Sequence, residues 1–161
     1  MVINLTGYHG TDENNLDSIR QQGINSSNKG WFGTGSYFYK DSFDMALKWA
    51  KKNHANAIVI VADIHVDEDK ILDLTDPSGD HARSFHDIRE EMFSKFKGKY
   101  KDQLDNIVIN TMHEIWKFNV VKGISHSFES FDKRNLGSNI PNGVEIVVRN
   151  KECIKSLEKV E

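Results

Sequence analysis

The sequence has little of several things, and each shortage removes a class of protein. Cys153 is the only cysteine, so no internal disulfide can form and the disulfide-stapled secreted domains are excluded. Only two prolines occur, and no linker-like stretch marks a domain boundary. No apolar run approaches the ~20 residues that cross a bilayer, and the N-terminus lacks a signal-peptide pattern. We therefore predict a cytoplasmic protein without a membrane partner.

A net excess of positive charge is also missing. The formal net charge is -3, so the chain as a whole provides no basic field that would hold a polyanion. One local run, Lys95 to Lys101, interleaves lysines with aromatic residues, and this composition can bind single-stranded nucleic acid by charge and stacking. The same composition is common in solvated turns between helices, so both interpretations stay open.

The apolar patterns that are present predict one α+β domain over residues 1–161, a length suited to a single core. Short strands are expected early and late in the chain, at Val2–Tyr8, Ser36–Tyr39, Ala57–Ala62, Phe118–Val121 and Val144–Val148. The run Ala57–Ala62 is almost continuously apolar and β-branched, which is typical of a strand buried on both faces, and we place it centrally.

Helical periodicity fills the space between these strands. A helix capped by Asp41 or Ser42 carries apolar residues at helical spacing through Ala50. Two further stripes predict a helical insertion at about residues 79–117. The first stripe is Phe85, Ile88, Met92 and Phe96, and the second is Leu104, Ile107, Val108, Thr111 and Ile115.

Three short motifs place polar or aromatic chemistry at the edges of apolar runs. The first is Gly7-Tyr8-His9-Gly10-Thr11, and the second runs from Trp31 to Phe38, where glycines let the backbone approach a ligand closely. The third, Gly143 to Val148, carries Glu145 in an otherwise apolar strand. A charge there is unfavourable unless it lies at an edge or serves a site. Together the motifs predict a pocket.

In this order the three motifs resemble those of the ADP-ribosyltransferase superfamily, in its diphtheria-toxin and poly(ADP-ribose) polymerase branch with the His-Tyr-Glu signature. The resemblance covers about residues 3–50 and 118–158. It implies two small, mostly antiparallel sheets packed as a split sandwich, with flanking helices and an NAD cleft between the sheets. It also implies that NAD is the substrate and that no metal is needed.

The resemblance assigns roles residue by residue. His9 would bind the hydroxyls of the adenine-side ribose. Gly10, with Thr11 beside it, would present its backbone to the nicotinamide carboxamide, and Tyr37 would stack on the nicotinamide ring. Glu145 would stabilise the oxocarbenium-like ribose. One carboxylate is sufficient because the leaving nicotinamide is already cationic and needs no general acid.

One departure concerns carboxamide recognition. In the polymerase branch a serine about eight residues after the tyrosine binds the carboxamide, and a second aromatic residue follows it. Met45 stands at the direct count in this sequence. Trp49 can supply the second aromatic residue only if the helix is shifted by one or two residues. The departure weakens the expectation for carboxamide binding.

Structural alternatives stand beside these roles. His9 can be a turn residue, Tyr37 a core residue, and Glu145 an outward-facing surface residue. The glycines of the second motif do not form a Rossmann fingerprint, because no third glycine follows and the motif enters a strand. The histidines of the helical region, His81, His86 and His113, lack metal-ligand spacing, so no zinc site is predicted.

The function predicted is a mono-ADP-ribosyltransferase that modifies a macromolecular acceptor, similar to toxin-like and phage-conflict enzymes, for which an antitoxin or inhibitor would be a partner. The alternatives are a non-catalytic NAD- or RNA-binding module of the same fold and, ranked last, an RNA 2′-phosphotransferase. The acceptor loop is expected at Lys122–Asn142, with the polar and aromatic residues Ser125, His126, Phe128, Glu129, Phe131 and Arg134.

Overall fold

The computed structural model describes residues 1–96, 103–126 and 138–161. The strands are β1 (Val2–Asp12), β2 (Ser36–Lys40), β3 (Ala57–Asp67), β4 (Ile71–Asp73), β5 (Val120–Ser125), β6 (Gly143–Val148) and β7 (Ile154–Lys159). The α-helices are α1 (Leu16–Gln22), α2 (Phe43–Asn53), α3 (Asp80–Phe96) and α4 (Leu104–Trp116). The α+β class is therefore confirmed, and two helices, α3 and α4, lie within the segment where the insertion was expected.

All seven strands that the structure describes belong to one mixed sheet, in the order β4-β5-β6-β2-β1-β3-β7. The pair β4–β5 is parallel, and the remaining pairs are antiparallel. Strand β1 pairs with β3 along its whole length, from Val2 opposite Asp67 to Asp12 opposite Ala57. Its pairing with β2, on the other side, is limited to Gly7 opposite Lys40 and Tyr8 opposite Tyr39.

The expectation of two separate sheets is not met in this arrangement, because the short β1–β2 pairing joins them. Strand β2 has only five residues and is paired with β6 over four of them, so it runs beside β1 for a short distance and then separates from it. The sheet consequently has two halves, β4-β5-β6-β2 and β1-β3-β7, which are paired only at Gly7 and Tyr8 of β1. Beyond Tyr8 the strands β1 and β2 are no longer paired, and we call this unpaired stretch the opening.

Side-chain alternation gives the sheet two apolar faces. One face is covered by α1 and forms a core with Leu5, Phe38, Ile60, Ile64 and Ile146 among its members. On the other face, α3 and α4 cover β4, β5 and β6 through a second core, whose buried members are Leu72, Phe85, Leu104, Val108, Ile109, Met112, Phe118, Val121 and Val147. Helix α2 contacts β1, β3 and β2.

The position of the strand that begins at Ala57 differs from the expectation. Strand β3 is buried on both faces in its first half, around Val59 and Ile60, as the composition of that half predicts, whereas Asp63 and Asp67 on one face of its second half are exposed. The strand lies next to last in the sheet, between β1 and β7. Helix α2 contacts it on one side, and the apolar core beneath α1 lies on the other, so burial of both faces does not require a central position.

Helix α4 is rotated relative to the stripe expected from its periodicity. Its buried side consists of Leu104, Asn106, Val108, Ile109 and Met112, whereas Ile115 is 66% exposed. The helix buries the polar Asn106 because its side-chain amide donates to the Gly30 carbonyl at 2.6 Å. None of the helices in the described ranges is long and apolar enough to span a membrane.

Candidate functional site

The backbone of Gly10 faces the opening between the two halves of the sheet. Thr6 accepts a hydrogen bond from Asp41 through its carbonyl on the β2 side, whereas Glu13 donates its N–H to Asn56 on the β3 side. Backbone groups of an antiparallel strand point to opposite edges at alternate residues, so even-numbered residues of β1 face β2. The N–H and C=O of Gly10 therefore point to the edge of β1 that β2 has left.

Helix α2 lies directly on this part of β1. A Cβ placed on Gly10 would clash with the carbonyl oxygen of Ala46, and Ala46 and Ala50 are fully buried. The helix begins where Ser42 accepts a hydrogen bond from the Met45 N–H at 3.3 Å, as expected for an N-cap. The missing side chain at Gly10 thus sets how closely α2 approaches the opening.

His9 reaches the opening from the other face of the sheet. Its ring packs edge-on against Phe38, with 5.9 Å between ring centroids, and its Nδ1 lies 2.8 Å from the Tyr37 carbonyl oxygen. A carbonyl can only accept, so Nδ1 carries the proton. Burial, opposed by this hydrogen bond and aided by the charge of His54, lowers the pKa of His9. The neutral ring then has Nε2 as an acceptor.

Tyr37 is half-buried, and a glycine-rich segment, residues 30–33, holds its hydroxyl. The hydroxyl donates to the Gly33 carbonyl at 2.5 Å and accepts from the Phe32 N–H at 3.1 Å. A Cβ on Gly30 would overlap the phenol ring, so the backbone lies directly against it. Burial, together with the nearby Glu145 carboxylate, raises the pKa of Tyr37 to about 12. The side chain is therefore a neutral phenol in physiological conditions.

Glu145 is partly buried in β6, so it is not the exposed surface residue of the structural alternative. It stands opposite Tyr39 of β2 on one side and Gly123 of β5 on the other. Burial raises the pKa of the Glu145 carboxyl, and a hydrogen bond from the Ser125 hydroxyl partly offsets that increase. Alternation places Glu145 on the same face as Tyr37, two register positions away along β6.

Met45 of α2 packs against β6 at Gly143. A Cβ on Gly143 would clash with the Met45 sulfur and would also contact the Cβ of Ser125. Gly143 and Glu145 share a face of β6, so the thioether packs on the side of the sheet that carries the carboxylate. Helix α2 therefore crosses the opening, touching β1 at Gly10 and β6 at Gly143.

Thr11 and Trp49 are the two remaining candidate residues. The hydroxyl of Thr11 is buried and accepts from the Asn15 side chain at 3.0 Å, which is a structural use at the turn into α1. Trp49 is 44% exposed on α2, and its ring lies 5.5 Å from that of His54. Tyr37 and Glu145 therefore share one face of the sheet, Gly10 directs its backbone towards the edge beside them, and the His9 ring contacts the Tyr37 carbonyl.

Two contributions were not recognised from the sequence. Ser125 was assigned to the acceptor loop, but it ends β5 and binds Glu145, because that strand continues four residues beyond the expected Val121. The alternation in Val120–Ser125 could have shown the longer strand. The contact of residues 30–33 with Tyr37 has no sequence signal beyond the glycines themselves.

Parts of two sequence predictions lie outside the described residues. They concern the lysines of the basic run beyond Lys95 and most of the acceptor loop, namely Lys97, Lys99, Lys101, Phe128, Glu129, Phe131 and Arg134. Within residues 1–96, 103–126 and 138–161, no three His, Cys, Asp or Glu side chains are grouped to hold a metal ion.

No protein-family model matches this chain, and no curated protein is significantly similar to it in sequence. The opening offers a ligand three kinds of group, which are the aromatic ring of Tyr37, the partly buried carboxylate of Glu145 and the backbone N–H and C=O of Gly10.

Proposed function

We propose that this protein is an NAD-dependent mono-ADP-ribosyltransferase that releases nicotinamide and transfers ADP-ribose to a macromolecular acceptor. The observation that carries the proposal is the common position of Tyr37 and Glu145 on the sheet face where β1 and β2 separate. Tyr37 lies opposite Val147 and Glu145 lies two residues earlier in the same strand, so both side chains are on one face of the paired strands β2 and β6.

Each group has a chemical task in this reaction. The Gly10 N–H and C=O match the carbonyl and amino groups of a carboxamide, and the Tyr37 ring provides a surface for the pyridinium. The Nε2 of His9 is an acceptor suited to a ribose hydroxyl. When the bond between nicotinamide and ribose breaks, positive charge moves onto the ribose, and the Glu145 carboxylate stabilises it.

The Ser125 hydroxyl supports this role of Glu145. Its hydrogen bond to the carboxylate stabilises the ionised form that burial disfavours. A cationic ribose would shift the balance further towards the ionised carboxylate, because an opposite charge lowers a carboxyl pKa. The charge on Glu145 is therefore favoured most when the reaction requires it, which is the condition for transition-state stabilisation.

A second candidate, a non-catalytic NAD- or RNA-binding module, is favoured by one observation. Met45 brings an apolar thioether to the side of α2 where a carboxamide-binding hydroxyl is expected from the resemblance. In the catalytic proposal, Gly10 alone must orient the carboxamide. The Trp49 contact with NAD also remains a prediction.

Incubation of the purified protein with NAD labelled in its adenylate part, with and without cell lysate, separates the candidates. Label on a macromolecule supports the transferase. Nicotinamide release without acceptor labelling would indicate an NAD hydrolase, and absence of both reactions in a protein that binds NAD would favour the non-catalytic module. An acceptor protected by a co-expressed inhibitor would fit the toxin-like members that the sequence resembles.

A further inference from the structure

A cavity lies where the end of β6 meets α4, and Glu145 is not among the residues that line it. Its volume is about 160 Å³, well above the ~15 Å³ that one water requires. Helix α4 and three connecting segments contribute polar side chains to its lining, which are Ser26, Thr34, His113, Asn119, Arg149 and Asn150. This lining contains no acidic side chain.

Arg149 lines this cavity, and one nitrogen of its guanidinium has a hydrogen-bond partner while another has none among the described residues. Its Nη1 donates to the Asn110 side-chain oxygen at 2.6 Å, and its guanidinium carbon lies 5.9 Å from the centroid of the Phe118 ring. Its Nε is buried without a hydrogen-bond partner among the described residues. A buried, unpaired donor on a cation is energetically unfavourable, and in native proteins it usually has a ligand or water.

His113 also lines this cavity and carries a second buried nitrogen. Its ring packs edge-on against Phe118 at 5.1 Å, and its Nδ1 is buried without a partner among the described residues. Burial is the main cause that lowers the pKa of His113, and the charges of Arg149 and Lys117 lower the pKa further. The charge of Glu114 and a hydrogen bond to the Phe118 backbone raise it. An anion beside the ring would raise the pKa of His113 and so oppose the effect of burial.

The nearby carboxylate does not occupy the cavity. Glu114 lies on α4 and pairs with Lys117 at 3.3 Å on the exposed side of that helix. The Asn150 side-chain oxygen accepts from the Glu152 N–H at 3.1 Å, so its amino group is the end that can still donate. The hydroxyls of Ser26 and Thr34 add two donors from either side of the bridge between Ser27 and Gly35.

We propose that this cavity binds a phosphate group, either inorganic phosphate or the phosphate of a monoester. Its oxygens would accept from the Ser26 and Thr34 hydroxyls, and from the Arg149 guanidinium and the His113 ring once these turn to expose their buried nitrogens. A tetrahedral anion with several acceptor oxygens matches donors that converge from different elements better than a planar carboxylate does. The lining of the cavity shares no residue with the opening at Glu145, and phosphate binding does not require NAD chemistry.

The bound phosphate would join the glycine-rich segment to the rest of the fold. Ser26 precedes residues 28–33 and Thr34 follows them, and the bridge between Ser27 and Gly35 holds the two ends of this segment together. Thr34 already donates its N–H to Asn110 at 3.0 Å, and a Cβ on Gly33 would lie 3.1 Å from Arg149 Nη1. The anion would therefore hold both ends of the segment whose Phe32 N–H and Gly33 carbonyl bind the Tyr37 hydroxyl.

The test follows the His113 ring by NMR in the full-length protein during titration with sodium phosphate, against sodium chloride at equal ionic strength. Phosphate should produce a saturable shift and raise the His113 pKa, and chloride should do neither. Arg149→Gln should weaken phosphate binding by about tenfold or more, because charge-assisted hydrogen bonds are lost. Arg83→Gln, at an exposed arginine paired with Asp80, is the matched control and should bind normally.

Ribose 5-phosphate distinguishes the two sources of the anion. Tighter binding than inorganic phosphate would assign the site to a monoester, and weaker or equal binding would assign it to free phosphate. An unshifted His113 ring, an equal response to chloride, or equal affinities of the Arg149→Gln and Arg83→Gln variants would overturn the proposal. If circular dichroism shows that Arg149→Gln is unfolded, Arg149→Lys, which keeps the charge but loses the Nε–H, should still weaken binding.

Discussion

The two edges of β1 differ in a way that explains where chemistry can occur. On one edge, eleven consecutive residues pair with β3, and on the other, only two residues pair with β2. The first edge satisfies the backbone completely and supports the core. The second leaves the Gly10 N–H and C=O directed into an opening that Tyr37 and Glu145 approach from the neighbouring strands. Strand β1 therefore serves the core through its long pairing with β3 and the candidate site through the edge that its short pairing with β2 leaves unpaired.

The largest effect should come from Glu145→Gln, which removes charge from the open side and leaves the paired side unchanged. Because the charge is needed mainly as nicotinamide departs, we expect the turnover number to fall about 10²-fold with NAD affinity retained. The measurement is nicotinamide release and acceptor labelling. Glu158→Gln, at an exposed position in β7, is the matched control. A Glu145→Gln variant within a few-fold of wild type would remove this residue from the site.

Gly10→Ala tests whether the contact with α2 determines the geometry of the opening. The added methyl meets the Ala46 carbonyl oxygen, which cannot rotate away as a side chain would. We expect a stability loss of about 1–3 kcal/mol, as for other overpacked sites, measured by chemical denaturation. The control is Gly79→Ala, where the nearest atom is 3.2 Å from the added carbon. Equal stability of the two variants would show that α2 can shift freely.

Substitutions at Tyr37 separate its ring from its hydroxyl. Tyr37→Ala removes the stacking surface and should raise the Michaelis constant for NAD severalfold, because stacking is made before the bond breaks as well as during it. Tyr37→Phe keeps the ring and loses the hydrogen bonds to Gly33 and Phe32, so its affinity should fall less. Calorimetric titration with NAD measures both. Unaltered affinity in Tyr37→Ala would contradict the proposed pocket.

The smallest effect concerns His9 and pH. Burial holds the pKa of His9 below its ordinary value of 6.5, so the unfolded chain takes up a proton first as pH falls. Stability from the neutral ring is fully present above pH 6.5 and is lost as pH drops through that value towards the folded pKa. His9→Asn should reduce the acid sensitivity of the melting temperature between neutral and mildly acidic pH. An identical pH profile in the variant would show that His9 does not contribute.

The same comparison shows what the sequence could predict. Apolar periodicity identified the strands, the helices and the α+β class, because burial patterns are local. It did not predict the extent of pairing between strands distant in sequence, which decides that β1 and β2 are joined near Tyr8 and that β3 lies near the edge of the sheet. In α4 the expected stripe through Ile115 was wrong because a polar residue, Asn106, is buried by a specific hydrogen bond.

For the site, motif order indicated Tyr37 and Glu145, which lie on one face of the sheet. The Ser125 hydrogen bond to Glu145 and the pairing of His113 with Arg149 in one cavity were not predicted. They depend on strand length and on the packing of α4 against β6, and neither leaves a local pattern in the sequence.

The contact between Gly10 and Ala46 also affects how this protein can change in evolution. Helix α2 meets β1 at Gly10 through the main-chain oxygen of Ala46 and the methyl group of Ala50, so the closeness of this contact does not depend on the larger side chains of the helix. Substitution of Met45 would change the packing of the helix on Gly143 of β6 but would leave this contact in place. The positions least tolerant of change should be those with the smallest side chains.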